Sequence, residues 1–156
     1  MNIKYLLFPF ACAYAGGAAL VRWAYAKGWR KTYQFERPFI LKIGNLSAGG
    51  TGKTPHTSFL VSFLEQQGLK VAIASRGYGR QTKGVLEVLA DADPKLVGDE
   101  PLMLKKTHPQ VPIYVAERRA EAVFALMQKY PHTQVLLLDD AMQHWALEAD
   151  YTLLLT

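Results

Sequence analysis

Residues 47–54 have the composition of a phosphate-binding loop. Gly49, Gly50 and Gly52 permit a tight turn with inward-facing N–H groups, and Lys53-Thr54 follow at the start of a predicted helix. In such a loop the amides and the lysine hold nucleotide phosphates, while the threonine hydroxyl binds Mg²⁺. The other predicted members of this nucleotide site are Ser47, Ala48 and Thr51. Ser47 replaces the first glycine of the general pattern, and a purely structural glycine turn is the alternative interpretation.

An acidic pair, Asp139-Asp140, follows an apolar run at residues 135–138. A buried parallel strand delivers its last residue to the carboxyl edge of an α/β sheet, where ligands bind. Asp139 is therefore the candidate Walker B carboxylate, which would bind Mg²⁺ together with Thr54. An ordinary core strand that runs into an acidic turn is the other interpretation.

From Pro38 onward, apolar runs alternate with helical patterns, which predicts a doubly wound α/β core with a P-loop NTPase-like parallel sheet flanked by helices. The predicted strands are 39–44, 70–74, 111–115, 135–139 and 151–155, with an edge strand at 85–90. The predicted helices are 53–67, 101–107 and 117–130. This core would occupy residues 37–156, preceded by an N-terminal segment at 1–36.

Two further clusters lie where predicted elements meet. Ser75-Arg76-Gly77-Tyr78-Gly79-Arg80 combines glycines, an aromatic ring and two arginines, which suits a loop that grips a phosphate or stacks on a sugar. A solvated turn is the alternative. In Gly98-Asp99-Glu100-Pro101 the proline fits the first helical position. Two roles are open for the acids: one of them caps that helix, or the pair accepts a proton or holds a water molecule bound to Mg²⁺.

Several polar residues are tied to these strand ends by sequence alone. Gln143 and His144 follow Asp139 within one turn, which brings them near the predicted metal. Arg118 and Arg119 begin another predicted helix after a strand, so that one of them would face the pocket unless both are solvated.

Composition limits the class of protein. The chain has 156 residues, enough for one α/β core, and 50% of them are hydrophobic, which excludes an intrinsically disordered chain. The net charge of +5 favours an anionic partner. A single cysteine, Cys12, excludes an internal disulfide and suits a reducing compartment. Because the sequence ends at Thr156 on an apolar strand-like run, we expect a fragment of a longer enzyme.

The N-terminal segment suits a membrane surface. Residues 5–21 carry no charge, and 17 residues of helix span about 25 Å, slightly less than the roughly 20 residues that cross a bilayer. Trp23, Tyr25, Trp29 and Tyr33 then alternate with basic residues, as in headgroup regions. We therefore predict a membrane-associated helix that either spans or lies flat. A buried core helix and a cleaved signal peptide are the alternatives.

Five motifs together resemble those of the tetraacyldisaccharide 4'-kinase family. They are Gly44-Asn45-Leu46-Ser47, Gly49-Gly50-Thr51-Gly52-Lys53-Thr54-Pro55, Ser75-Arg76-Gly77-Tyr78-Gly79, Gly98-Asp99-Glu100-Pro101 and Asp139-Asp140-x-x-Gln143-His144. The resemblance covers most of residues 38–145. It implies that ATP phosphorylates the 4'-hydroxyl of tetraacyldisaccharide 1-phosphate to form lipid IVA, at the cytoplasmic face of the bacterial inner membrane. Ala141 and Met142 replace the glycine and phenylalanine that are usual in the last motif.

The resemblance also implies individual roles. Asp99 is the expected acceptor base, with a histidine partner beyond Thr156, and Lys53 and Asp139 complete the catalytic set. An anionic glycolipid is the expected partner, with no nucleic acid and no obligate protein. The residues expected to bind it are Arg76, Tyr78, Glu100, Arg119, Asp140, Gln143 and His144.

Two other functions share parts of the pattern. A membrane-associated ATPase switch of the partitioning or targeting type shares the Gly-Gly-Thr-Gly-Lys-Thr core, but Ser47 and Ala48 stand where such loops carry an early lysine. A nucleic-acid ATPase is favoured only by the positive net charge.

Overall fold

The computed structural model describes residues 16–17, 19–21, 23–25, 27–29, 32–45, 52–139 and 146–155. Within them lies one sheet in the order β3-β4-β2-β5-β1-β6. Its strands are β1 (Phe39–Asn45), β2 (Val71–Ser75), β3 (Leu86–Glu87), β4 (Ile113–Val115), β5 (Val135–Asp139) and β6 (Tyr151–Leu155). All pairings are parallel except that of β3 with β4. The predicted parallel α/β sheet is therefore confirmed.

Helices cover both faces of the sheet, as expected of a doubly wound fold. They are α1 (Lys53–Gln66), the short α2 (Pro94–Val97), α3 (Asp99–Thr107) and α4 (Arg119–Lys129). Side chains of α1 and α3 share one apolar cluster with Leu137, whereas α4 shares the other with Leu136 and Leu138. Alternation along β5 thus separates the two layers, with α1 and α3 on one face and α4 on the other.

The structure corrects several predicted boundaries. The edge strand expected at 85–90 is reduced to Leu86–Glu87 and runs antiparallel to its neighbour. The strand expected at 111–115 begins only at Ile113, since Pro112 has no N–H to donate to a ladder. The helix expected at 117–130 is limited to Arg119–Lys129.

The α2 and α3 region differs most from its prediction. α2 was not predicted from the sequence. Asp93 caps it by accepting a hydrogen bond from the Lys95 N–H at 2.8 Å, and Pro94 occupies its first helical position. α3 begins two residues earlier than predicted, so Pro101 occupies the third helical position instead of the first. Proline is tolerated there because the N–H groups of a first turn have no partner within the helix.

The described part of the N-terminal segment is helical and ends near residue 25. Trp29 N–H donates to the Ala24 carbonyl and Gly28 N–H to that of Tyr25, which is a Schellman closure with Gly28 at φ 72°. The rings of Trp23 and Trp29 meet edge to face at 5.0 Å between centroids. Most of the apolar run at 5–21 lies outside the described residues, among which no helix is both long and apolar enough to cross a bilayer.

The chain then joins the core before β1. Tyr33 N–H donates to the Ala146 carbonyl at 2.8 Å, and Glu148 N–H donates to the Tyr33 carbonyl at 3.0 Å. The rings of Tyr33 and Phe35 both pack against Phe124 on α4. Tyr33 and Phe35 are therefore in direct contact with the α/β core.

Candidate active site

The described parts of the predicted motifs follow parallel strands, which end at one edge of the sheet. β1, β2, β4 and β5 run in the same direction, so the loops that follow Asn45, Ser75, Val115 and Asp139 all leave from the carboxyl edge. Of the nucleotide-binding prediction, Ser47, Ala48, Gly49, Gly50 and Thr51 lie outside the described residues, as do Asp140, Gln143 and His144. The first residue described after β1 is Gly52.

The N-terminus of α1 has the form of an anion site. Gly52 is its N-cap with φ 71°, a left-handed conformation that favours glycine, and no side chain caps the helix. The first-turn N–H groups and the positive end of the dipole of this 14-residue helix are therefore left without a side-chain cap at its Gly52 end. Lys53 and Thr54 are the first two helical residues, as the sequence predicted.

Asp139 lies next to the strand that leads into this loop. It pairs in register with Ile43 on β1, at the last position of β5, and its exposed fraction is only 1%. Leu137 belongs to the apolar cluster under α1, and side chains alternate along a strand. Asp139 therefore lies on the face of the sheet that α1 covers, and Thr54 is in the first turn of that helix. A carboxylate, a hydroxyl and nucleotide phosphates together form the oxygen donor set that Mg²⁺ prefers.

The loop after β2 touches the start of α3 through two glycines. A Cβ on Gly77 would lie 2.7 Å from the Val97 carbonyl oxygen, and one on Gly98 would lie 3.0 Å from the Tyr78 carbonyl oxygen. Both residues have positive φ, at 67° and 95°. Only glycine fits this backbone contact without displacement, so the two motifs form one unit. α3 therefore begins, at Asp99, next to the loop that carries Tyr78.

Four side chains around this contact remain available to a ligand. Arg76, Tyr78, Asp99 and Glu100 are exposed and make no side-chain hydrogen bond or ion pair with any described residue. We call them the open cluster. Of the two interpretations left open for this motif, capping by an acid does not hold, because Gly98 is the N-cap of α3 and no side chain forms a capping hydrogen bond. Both acids instead lie in the first turn, where the helix dipole favours negative charge.

Arg80, the second arginine of the predicted ligand loop, binds the protein itself. Its side chain is 4% exposed and forms an ion pair with Glu117 at 2.9 Å. It also donates to the carbonyls of Gly84 at 2.7 Å and Val115 at 3.5 Å. Hydrogen bonds from backbone N–H groups, its own first, and the nearby guanidinium hold the pKa of Glu117 below its usual range. Arg80 therefore fixes the loop from beneath, and Arg76 is the one left exposed.

The two arginines before α4 also differ. Arg118 is exposed and pairs with Glu121 at 3.4 Å, as expected of a solvated helix terminus. Arg119, in contrast, is 1% exposed and its guanidinium donates to the Glu117 carbonyl at 3.2 Å. It is therefore a buried cation directly beneath the carboxyl edge.

One charged residue near this edge was missed in the sequence interpretation. Lys42 lies on β1, half-buried on the α4 face, and its Nζ donates to the Leu147 carbonyl at 3.4 Å. Burial lowers its pKa from the usual value. A lysine inside the otherwise apolar run at 39–43 was the signal that could have identified it.

Comparison with known proteins gives consistent matches. The family model described as tetraacyldisaccharide-1-P 4'-kinase matches residues 3–156. A tetraacyldisaccharide 4'-kinase from Verminephrobacter eiseniae is 42% identical, with 92% of this chain and 34% of that protein covered. The enzyme of the same name from Cytophaga hutchinsonii is 41% identical, with 99% and 44% covered. The chain thus spans less than half the length of these curated relatives.

A solved structure has the same fold. LpxK from Aquifex aeolicus, described as an "apo" form in complex with ATP, superposes with a TM-score of 0.87 at 32% sequence identity. The match covers 98% of this chain and 49% of that one. The mostly parallel sheet flanked by helices is therefore the architecture of that protein's matched half.

Proposed function

The chain belongs to the tetraacyldisaccharide-1-P 4'-kinase family, and we propose that its protein transfers the γ-phosphoryl group of ATP to the 4'-hydroxyl of tetraacyldisaccharide 1-phosphate, forming lipid IVA. The observation that carries this proposal is the meeting of three motifs at one sheet edge. They are the α1 N-terminus with Lys53, the buried Asp139, and the first turn of α3 with Asp99.

ATP is the proposed phosphoryl donor. The family's relative from Aquifex aeolicus was solved with ATP, and in this chain the uncapped N-terminus of α1 is suited to binding an anion. Residues 47–54 would surround the phosphates, and Lys53 would neutralise the charge that develops between the β- and γ-phosphates. The open cluster follows β2 at the same carboxyl edge of the sheet, where an acceptor would approach the bound nucleotide.

Mg²⁺ fits the donors present at this edge. Thr54 and Asp139 would hold it, together with the phosphates of ATP; among the described residues no cluster of three acidic, histidine or cysteine side chains forms a separate metal site. When bound, the ion would offset the negative charge of the transferring phosphoryl group. The protein's part is to keep one buried carboxylate and one helix-terminal hydroxyl on the same face of the sheet.

Asp99 is the proposed acceptor base. As the 4'-oxygen forms its bond to the γ-phosphorus, the bond between that phosphorus and the β,γ-bridging oxygen breaks, ADP leaves, and the hydroxyl proton passes to the Asp99 carboxylate. Its exposure and lack of a partner among the described residues suit a group that must meet a substrate. Glu100 lies in the same turn and would contact the sugar.

Arg76 and Tyr78 are the proposed first contacts of the anionic disaccharide. Arg76 offers an exposed guanidinium to a phosphate, and the ring of Tyr78, 82% exposed, offers a face to a sugar. Arg119 would act from beneath, through its positive potential, because its guanidinium is buried against carbonyl groups. Asp140, Gln143 and His144 complete the proposed acceptor site.

The acceptor is a lipid, so we place the protein at the cytoplasmic face of the inner membrane. Trp29 is 74% exposed and Trp23 is 45% exposed, and their ring contact lies at the end of the N-terminal helix. Exposed tryptophans beside cations such as Lys27 are typical of the headgroup region. Membrane attachment would bring the open cluster to a substrate that stays in the bilayer.

A phosphate-transfer assay tests the proposal. The full-length protein, in its membrane-associated form, is incubated with labelled ATP, Mg²⁺ and tetraacyldisaccharide 1-phosphate. We expect a labelled bisphosphorylated lipid, and a loss of about 10³-fold in Lys53→Ala, which removes the cation nearest the transferring group. Lys70→Ala, at the opposite end of the sheet, is the matched control. ATP hydrolysis without labelled lipid, or near-normal transfer by Lys53→Ala, would contradict the proposal.

A further inference from the structure

Helix α3, which begins at Asp99, is held at both ends. At its start, Gly98 packs against the backbone of Gly77 and Tyr78. At its end, the C-cap residue His108 reaches across to α1. The described contacts thus tie the helix of the proposed base to the ligand loop on one side and to the nucleotide helix on the other.

The contact at the end of α3 is polar and buried. His108 is only 8% exposed, and its Nε2 lies 2.8 Å from the Ser58 hydroxyl on α1. Its Nδ1 lies 3.6 Å from a carboxylate oxygen of Glu65. Ser58 and Glu65 are seven residues apart, two turns along the same face of α1, so the imidazole bonds to one side chain of that face and lies close to another.

A serine, histidine and glutamate in this order resemble a hydrolytic triad, but their location argues against nucleophilic catalysis. Ser58 lies in the interior of α1, where the neighbouring backbone N–H groups are engaged in helix hydrogen bonds. Those groups cannot form an oxyanion hole, without which such a serine has little catalytic power. The arrangement is better suited to holding two helices in place.

We propose that the Ser58–His108 hydrogen bond is a positioning contact for phosphoryl transfer, which fixes how far α3 is displaced along α1. This inference rests on the proposed function. α1 begins with Lys53 and Thr54, and α3 begins with Asp99, so a slide of one helix along the other changes the distance between ATP and the base.

Apolar packing alone fixes this displacement poorly. Val61 on α1 and Leu102 and Leu104 on α3 belong to one apolar cluster, whose attraction depends on buried area and is not directional. A hydrogen bond of 2.8 Å restricts both distance and angle. Because a misplacement of about 1 Å can cost on the order of 100-fold in rate, a single directional contact has a measurable role.

Four single variants and one double variant of the full-length protein test the contact. Ser58→Ala removes the hydroxyl, and Ser62→Ala, on the next turn of α1, is its matched control. His108→Asn keeps a polar atom near Nδ1 but none near Nε2, whereas His108→Gln places its amide near Nε2. Only the glutamine can rebuild the bond to Ser58. For each variant, kcat and KM for ATP and lipid are measured per folded molecule.

We expect Ser58→Ala and His108→Asn to lower kcat about tenfold, with KM for ATP within about twofold of wild type. His108→Gln should recover most of the loss. The double variant Ser58→Ala/His108→Asn should be no slower than either single variant, because both remove one interaction.

Three results with an active wild type would overturn the positioning role and leave the proposed function intact. They are an unchanged kcat in Ser58→Ala and His108→Asn, an equal loss of kcat in Ser62→Ala, and a kcat of His108→Gln that stays as low as that of His108→Asn. A wild-type protein that transfers no phosphate to lipid would overturn both.

Discussion

Two groups of polar side chains on this fold differ in their hydrogen-bond and ion-pair partners. In the open cluster, Arg76, Tyr78, Asp99 and Glu100 are exposed and have no protein partner among the described residues. In the second group, which we call the Glu87 cluster, one carboxylate accepts from Lys129 at 2.5 Å, Tyr130 at 2.6 Å and Tyr114 at 3.2 Å. The first lies at the carboxyl edge, whereas the second ties β3 and β4 to the end of α4.

This contrast separates side chains that stabilise the fold from side chains that are available to a substrate. Burial pushes the pKa of Glu87 upward, but hydrogen bonds from Lys129 and the two tyrosines outweigh it and hold the pKa below its usual range. Burial, together with the nearby carboxylate, raises the pKa of Tyr114 to about 12. Polar groups that bond to one another stabilise the fold, whereas those left in water remain able to bind a substrate.

Asp99→Asn should give the largest effect in the comparison. The amide cannot accept the hydroxyl proton, so we expect kcat for lipid phosphorylation to fall about 100-fold, while the affinity for ATP and the free energy of unfolding stay near wild type. Steady-state kinetics and ATP titration measure the two quantities. An equal loss of rate and of ATP affinity would indicate that Asp99 only supports the local structure.

Gly77→Ala tests whether the open cluster depends on the backbone contact beneath it. The new Cβ would lie 2.7 Å from the Val97 carbonyl oxygen. We therefore expect Gly77→Ala to lower the free energy of unfolding by about 2 kcal/mol more than Gly79→Ala does. Gly79 is the matched control, with φ 79° but nothing within 4 Å of an added Cβ. Denaturant titration measures the difference. Equal losses in the two variants would exclude the close contact as the cause.

Arg76→Ala and Arg80→Ala should separate the two roles within one loop. Removing the exposed guanidinium should raise KM for the lipid acceptor about tenfold without changing stability. Removing Arg80, which pairs with Glu117 and two carbonyls, should lower the free energy of unfolding by about 2 kcal/mol with little change in KM. Exchanged outcomes would show that the open cluster has been assigned to the wrong arginine.

Glu87→Gln should give the smallest effect, and on stability alone. After allowance for partial exposure, we expect a loss of about 1 kcal/mol at neutral pH, with unchanged lipid phosphorylation. Since the folded-state pKa is lowered, this stabilisation is present above the usual value of 4.5 and is lost as the pH falls through the folded-state pKa. Unfolding at several pH values should therefore show wild type and variant converging in acid. A constant difference would contradict the ionic origin.

Much of the fold was predictable from sequence because its signals are local. β5 and β6 have the predicted bounds, and α1 starts at the predicted Lys53, since apolar runs and glycine-rich turns mark such elements directly. The short β3 and α2 were mispredicted or missed, because a two-residue strand and a four-residue helix leave almost no periodicity to detect.

The candidate site divides in the same way. The motifs and their shared edge of the sheet follow from sequence alone, because loops that follow parallel strands leave the sheet on the same side. Tertiary packing settles that Arg80 and Arg119 are buried while Arg76 is exposed, that Gly77 touches Gly98, and that His108 bonds to Ser58. The contacts of Arg80 with Glu117, Gly98 with Gly77 and His108 with Ser58 join residues 21 to 50 positions apart. They depend on strand order and helix packing, which no local pattern encodes.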